Sequence, residues 1–206
     1  MSRYLLTHSL LSSWLYAIAE DPYEDATAER DKHAEFLDAL HRVETPPNEA
    51  MQNGIDFEEL VTSIANEADW QTDRDHRWYD AARRVAEIVR GGQFQYKAKK
   101  PVTVGGVHFL LYGRLDVLKA GEIIDIKFSK SYDRGKYFDS TQHPMYLELI
   151  PEAERFKYLV SNGSDVWTET YRRDETRNIL PIVADFWSWL GSQGLTDEYR
   201  RYWEAL

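Results

Sequence analysis

Gly113-Arg-Leu-Asp-Val-Leu-Lys-Ala-Gly-Glu-Ile-Ile-Asp-Ile-Lys-Phe128 reads as two strands joined by a turn at Lys119-Ala-Gly-Glu122. In the second strand Asp125 and Lys127 are two apart and share a face, while Ile124, Ile126 and Phe128 point the other way into a packed layer. If Lys119–Glu122 closes a four-residue hairpin loop, Leu118 pairs with Ile123, and Asp116 falls opposite Asp125 with both carboxylates on one face. Two carboxylates side by side repel unless a cation lies between them. A hard cation such as Mg²⁺ is held in this way, by one or two carboxylates plus phosphate oxygens of a substrate. A Lys on the same face can orient an attacking water and offset developing negative charge. These are parts for metal-assisted phosphodiester hydrolysis. The competing reading is a surface ion pair at i and i+2, worth little energetically.

Working outward, Lys100 to Leu118 carries two strands around a Gly105-Gly106 turn. Ser140 to Leu149 reads as a helix with Pro144 near its start, and Arg155–Val160 and Val166–Tyr171 as a hairpin across Ser161-Asn-Gly-Ser164. Upstream lie four helical patterns. Thr7 or Ser9 caps a helix through Leu10, Leu11, Trp14, Leu15 and Ile18, ended by Asp21-Pro22. A second runs from Thr27 to Val43 and a third from Glu49 to Ala68, capped by Asn48, with Ile55, Leu60, Val61 and Ile64 as its apolar stripe. Asp73 or Asp75 caps a fourth, which stops at Gly91-Gly92. Two aromatic-rich helices, through Phe186, Trp187 and Leu190 and through Tyr199, Tyr202 and Trp203, close the chain. The pattern predicts an α/β fold with a small mixed β-sheet flanked by helices. It fits one domain over 1–206, with a helical part at 1–92, a sheet core at 93–175 and C-terminal helices at 176–206.

The chain has 206 residues and a net charge of −10, which sits awkwardly with a polyanionic partner. Its distribution matters more: from Arg90 to Lys136 ten Lys or Arg face four acids, so this window is +6 and the remainder −16. This window is where a polyanion such as DNA would dock, but by itself it reads better as a solvated basic face, and the acidic remainder leaves room for a protein partner or a homo-oligomer. No apolar run approaches membrane-spanning length. There is no cysteine, which removes disulfides, thiolate zinc and iron–sulfur ligation. With no secretory leader in view, a cytoplasmic location is the default expectation.

Gly113-Arg-Leu-Asp116 followed by Ile123-Ile-Asp125-Ile-Lys127 resembles the PD-(D/E)XK nuclease superfamily, whose core is restriction-endonuclease-like. Gln142-His-Pro-Met-Tyr146 is similar to the Q-x-x-x-Y element of its RecB-type branch, and four residues of helix put Gln142 and Tyr146 on one face. Gly54-Ile-Asp-Phe-Glu58 resembles that branch's G-x-x-x-(H/E) helix in the acidic form of phage lambda-type exonucleases, and Thr7-His-Ser-Leu-Leu-Ser-Ser-Trp14 its Ser-rich helix start. The resemblance covers roughly residues 50 to 175, and the flanking segments would be N- and C-terminal helical additions.

The resemblance implies a DNA nuclease using Mg²⁺ or Mn²⁺, of a kind met in phage or bacterial recombination, with an exonuclease the preferred form. Asp116, Asp125 and the backbone carbonyl of Ile126 would hold the metal, Glu58 would assist, and Lys127 would act on the nucleophile. Gln142 and Tyr146 would line the site and touch DNA. The iron–sulfur variant of the branch is excluded by the absence of cysteine. Lys130, Arg134 and Lys136, just past the catalytic strand, are candidates for phosphate contact. Gly54 would let its helix approach the sheet closely, one turn from Glu58. Trp70, Trp78 and Tyr79 read as core in preference to base-stacking residues, and His108 and His143 as ordinary polar residues. A non-cleaving DNA-binding or adaptor module on the same fold, and a structure-specific endonuclease, are the alternatives.

Overall fold

The turn predicted at Lys119–Glu122 forms, and it is tight: Lys119 pairs with Glu122 across Ala120-Gly121, both at positive φ (49° and 77°). That conformation twists two strands into a close hairpin, and Gly121 adopts it without a Cβ penalty. The computed structural model describes residues 2–19, 31–66 and 74–205. The hairpin joins β3 (Val107–Lys119) to β4 (Glu122–Phe128), and β3 also pairs along nearly its whole length with β2 (Gln93–Val104). A parallel strand β5 (Arg155–Ser161) flanks β4, and β6 (Val166–Arg172) forms the edge beyond it. Arg3–Leu6 is a strand, β1, parallel to β3, and it carries the short β7 (Glu204–Ala205) on its far side. The result is an open, mixed seven-stranded sheet with helices on both faces.

One face is covered by α1 (His8–Ile18), α2 (Lys32–Leu40), α5 (Gln142–Leu149), α6 (Ile179–Gln193) and α7 (Thr196–Trp203), around Leu11, Trp14, Phe36, Met145, Phe186 and Tyr199. The other is covered by α3 (Glu49–Ala65) and α4 (Tyr79–Val89), where Phe57, Val61 and Val85 pack on Val117, Ile124 and Ile126. Thr7 caps α1 and Asn48 caps α3, each accepting a backbone N–H three residues on, as the residue types predict. The start of α2 at Thr27, the Asp21-Pro22 break, the Ala68 end of α3, the Asp73 cap and Trp70 lie outside the described residues. Asp75 is not a cap: α4 begins at Tyr79 behind Trp78, with no side-chain cap.

Two readings of α3 are corrected. Ile55 is exposed, and Phe57 takes its place on the buried stripe with Val61, Ile64 and Ala65. Gly54 allows no close approach, because a Cβ built there meets nothing within 4 Å. Mid-helix Gly in open space costs backbone entropy for no packing gain. Gly54→Ala is therefore expected to raise unfolding stability by about 0.5–1 kcal/mol in a denaturant titration. A loss would mean that the helix is constrained there by something other than propensity.

Candidate functional site

Because β2 occupies one edge of β3, β4 and β1 must share the other. β1 takes Phe109–Leu111 and β4 takes Val117–Lys119. Residues 112–116 of β3 are left on that edge with no strand beside them, and Asp125–Phe128 of β4 pair only with β5. The sheet forks, and Gly113-Arg-Leu-Asp116 lies in the fork. Both strands also twist sharply here. Leu115 and Ala98 pack in the first core, whereas Val117 and Phe94 pack in the second, although residues two apart normally share a face. Between them lie Asp116 and Gln95, the latter at φ +53.

The fork's open backbone groups are closed by side chains. Asp116 Oδ2 accepts the Ile126 N–H at 2.8 Å. The Tyr146 hydroxyl donates to the Arg114 carbonyl at 3.1 Å, from a helix that can come this close because residue 113 is glycine. A Cβ there would stand 2.6 Å from the Tyr146 ring. Gln142 Nε2 donates to Asp125 Oδ1 at 2.5 Å, and Lys127 Nζ lies 2.8 Å from Asp125 Oδ2. Helix α5 is buried on nearly every side and fixed at both ends. Arg173 donates to the carbonyls of Leu147, Ile150 and Ala153 at its C-terminal end, and the Thr141 hydroxyl donates to the His8 carbonyl and meets Ser12 Oγ at its start.

Electrostatics ties the carboxylates into one cluster. Burial, then the charges of Asp125 and Glu58, push the Asp116 carboxyl well above the usual range, against the opposing Ile126 hydrogen bond. Glu58 is also raised, by burial first and then by Asp125, with Arg114 and Lys127 opposing. Burial would depress the Lys127 ammonium, but Asp125 and then Asp116 outweigh it and raise it. Asp125 is 2% exposed, and its Oδ2 is covered without a well-directed hydrogen-bond donor, since Lys127 meets it by distance but not by angle. Among the described residues no group of three or more His, Asp or Glu side chains is arranged to enclose a metal ion.

The structure thus brings Asp116, Asp125, Lys127 and Glu58 together and sets the Ile126 peptide against Asp116. Glu58 is turned to the site by Gln95, which donates to its Oε1 from the twisted position, whereas Glu59 is exposed. Gln142 and Tyr146 border the cluster, but both are buried, and their polar groups are spent on Asp125 and the Arg114 carbonyl. They support the carboxylate and backbone instead of reaching outward. Lys130 and Arg134 are exposed on the loop after β4, outside the cluster; Lys136 is turned back onto Ser129 and Ser131. His143 is core, stacked on Tyr171 at 4.0 Å, and Trp78 is core against Phe57 and Phe128.

Three neighbours went unread in the sequence. Gln95 carries no pattern that marks a positive φ. Tyr137 approaches Lys127 and Asp125 closely enough for their charges to act on it. His8, edge-on to the Tyr146 ring, has a covered Nδ1 with no partner. Burial first, then the charge of Lys127, pushes His8 down to about 3. The Thr7-His-Ser signature contained that histidine without indicating its direction.

The fold and fork define an α/β protein built on an open mixed sheet with acidic residues and a lysine at a strand divergence. No family model matches the chain, and no curated protein matches it. Among solved structures it is similar to the crystal structure of SSO0001, with a TM-score of 0.53 and 14% identity over 94% of this chain and 78% of that one. At that identity the likeness speaks to the fold alone.

Proposed function

We propose that the chain is a PD-(D/E)XK-type nuclease that hydrolyses DNA phosphodiester bonds with Mg²⁺ or Mn²⁺. The observation that carries this reading is the convergence of Asp116, Asp125, Glu58 and Lys127 where β3 and β4 part. The residues fit a divalent cation. Asp125 Oδ2 is a covered oxygen without a directed donor, and the charged forms of Asp116 and Glu58 are disfavoured by burial first and then by the charge of Asp125. Asp116 and Asp125 would hold the ion, with Glu58 and the Ile126 carbonyl in support. When bound, it supplies Lewis-acid polarisation of the phosphate and a more acidic water. Lys127 would orient that water and offset charge on the phosphorane-like transition state. Gln142 holds Asp125 in place from behind.

Within this reading an exonuclease is preferred, on the sequence elements around Glu58 and Gln142. End-labelled linear DNA and closed circular DNA, each with Mg²⁺, Mn²⁺ or chelator, separate the forms. An exonuclease shortens the linear substrate and spares the circle; an endonuclease opens both. A non-cleaving DNA-binding module is the second reading, favoured by the absence of an assembled three-ligand group among the described residues. It gives no product with any metal.

Glu58 provides an internal check. Glu58→Gln is expected to weaken cleavage by about ten- to a hundred-fold, the range for groups that support a metal centre. Glu59→Gln, on the exposed side of α3, should change little. The reverse ranking in steady-state rates would dismiss Glu58 from the site.

A further inference from the structure

Edge strand β6 and the loop between β4 and α5 enclose an open groove of about 670 Å³ that the strand fork does not use. Four of its nine lining residues are aromatic and the rest are polar residues and Gly135. Tyr132 stacks on Trp167 with ring centres 5.5 Å apart and planes at 28°, and Tyr171 and Phe138 are the other two rings. Glu169 makes the platform rigid: its carboxylate accepts the Tyr132 hydroxyl at 2.6 Å, the Tyr171 hydroxyl, and the N–H groups of Gly135 and Tyr137 at 3.2 and 3.3 Å. Four donors thus engage this acid, and it pins the loop to the sheet. Phe138 is 69% exposed, more than any other large hydrophobic among the described residues, and it contributes nothing to either core. Arg134 lines the groove and Lys130 stands exposed on the same loop.

A rigid set of aromatic faces beside cationic side chains matches the chemistry of an unpaired nucleobase on its phosphate backbone. Every base has a π-face, and stacking on aromatic side chains is the sequence-tolerant way to hold a single strand. Position supports the same occupant. The groove is two strand spacings from β4, about 10 Å. Tyr137, on the loop that walls it, stacks at 4.3 Å on Tyr158, the β5 partner of Asp125. A strand leaving the fork along this loop would reach the groove within a few nucleotides.

We propose that the Tyr132–Phe138–Trp167 groove binds an unpaired base of a single-stranded nucleic acid, next to the fork. This rests on the reading that the fork acts on a nucleic acid, and deepens it. The test uses the full chain in chelator and fluorescence anisotropy with three labelled ligands. These are an oligothymidylate of about 12 nucleotides, an abasic strand of the same length, and a duplex. The base-bearing strand should bind about ten-fold tighter than the abasic one, the effect of a base-stacking contact. Phe138→Ala should remove most of that difference without changing abasic or duplex binding, and Phe138→Tyr should keep it. At 69% exposure Phe138 can be truncated without unfolding the protein, which thermal unfolding verifies. Equal binding of base-bearing and abasic strands, no binding of either, or indifference to Phe138→Ala overturns the groove. If cleavage survives that result, the proposed activity stands without it. Base-dependent binding without any cleavage would keep the groove and remove the activity.

Discussion

Replacing Asp116 with Asn is expected to abolish metal-dependent cleavage while raising the unfolding temperature of the metal-free protein at neutral pH. The loss follows from removing one of the two carboxylates proposed to hold the cation. The gain follows from repulsion: Asp116 shares its surroundings with Asp125 and Glu58, and burial adds to the cost of its charge. Its folded-state pKa is raised, so the cost is absent below the unfolded value of about 3.9 and grows as pH climbs from there toward the folded value. The advantage of the Asn variant should therefore be small near pH 3 and largest around neutrality. Each kcal/mol relieved corresponds to about 2–4 °C in a chain of this size. Asn is the right probe because its amide oxygen still accepts the Ile126 N–H. Ala would strand that donor at about 1–3 kcal/mol and mask the effect. Added Mg²⁺ or Mn²⁺ should raise the melting temperature of the wild type and not of the variant. Scanning calorimetry from pH 3 to 7 checks both; a variant less stable than wild type at pH 7 would make Asp116 a structural residue.

The hairpin carrying Asp116 and Asp125 was legible because a tight turn leaves one register, and Leu118 does pair with Ile123. What the sequence could not show is that β3 and β4 part immediately beyond Val117 and Ile124. The parting depends on β1, four residues whose partner lies over a hundred positions away, too short to show a period. β7, two residues long, was hidden likewise, its partner β1 lying about two hundred positions away. Motif spacing placed Gln142 and Tyr146 on one helix face, yet α5 is buried nearly all round, so their inward role follows from packing that no periodicity reports. Gly54 misled because a glycine marks permission for close contact, and here nothing comes near.

Lys127→Met should reduce cleavage by at least about 10²–10³-fold, the loss seen when a preorganised group aimed at developing charge is removed. Met keeps the stem and deletes only the ammonium. The structure also gives Lys127 a structural part, as the charge beside Asp125 Oδ2 at 2.8 Å. Asp125 is 3% exposed at its side chain and Lys127 33%, so the carboxylate is out of water and the ammonium only about a third exposed. Breaking the pair should cost about 2–3 kcal/mol, between the value for an exposed pair and the roughly 3–5 for a fully buried one. Mn²⁺ should restore that stability, by replacing the missing positive charge, without restoring turnover. Recovery of cleavage along with stability would mean that Lys127 serves Asp125 and not the reaction.

The most direct measurement is nucleotide release from end-labelled linear DNA by the wild-type protein, Asp116→Asn and Lys127→Met, with Mg²⁺, Mn²⁺ and chelator side by side. Wild-type protein should release nucleotides with either metal and none in chelator, and both variants should be folded and inactive under every condition. Release that persists in chelator, release undiminished in Asp116→Asn, or no release by wild-type protein with either metal would contradict a metal-dependent nuclease centre at the fork of β3 and β4.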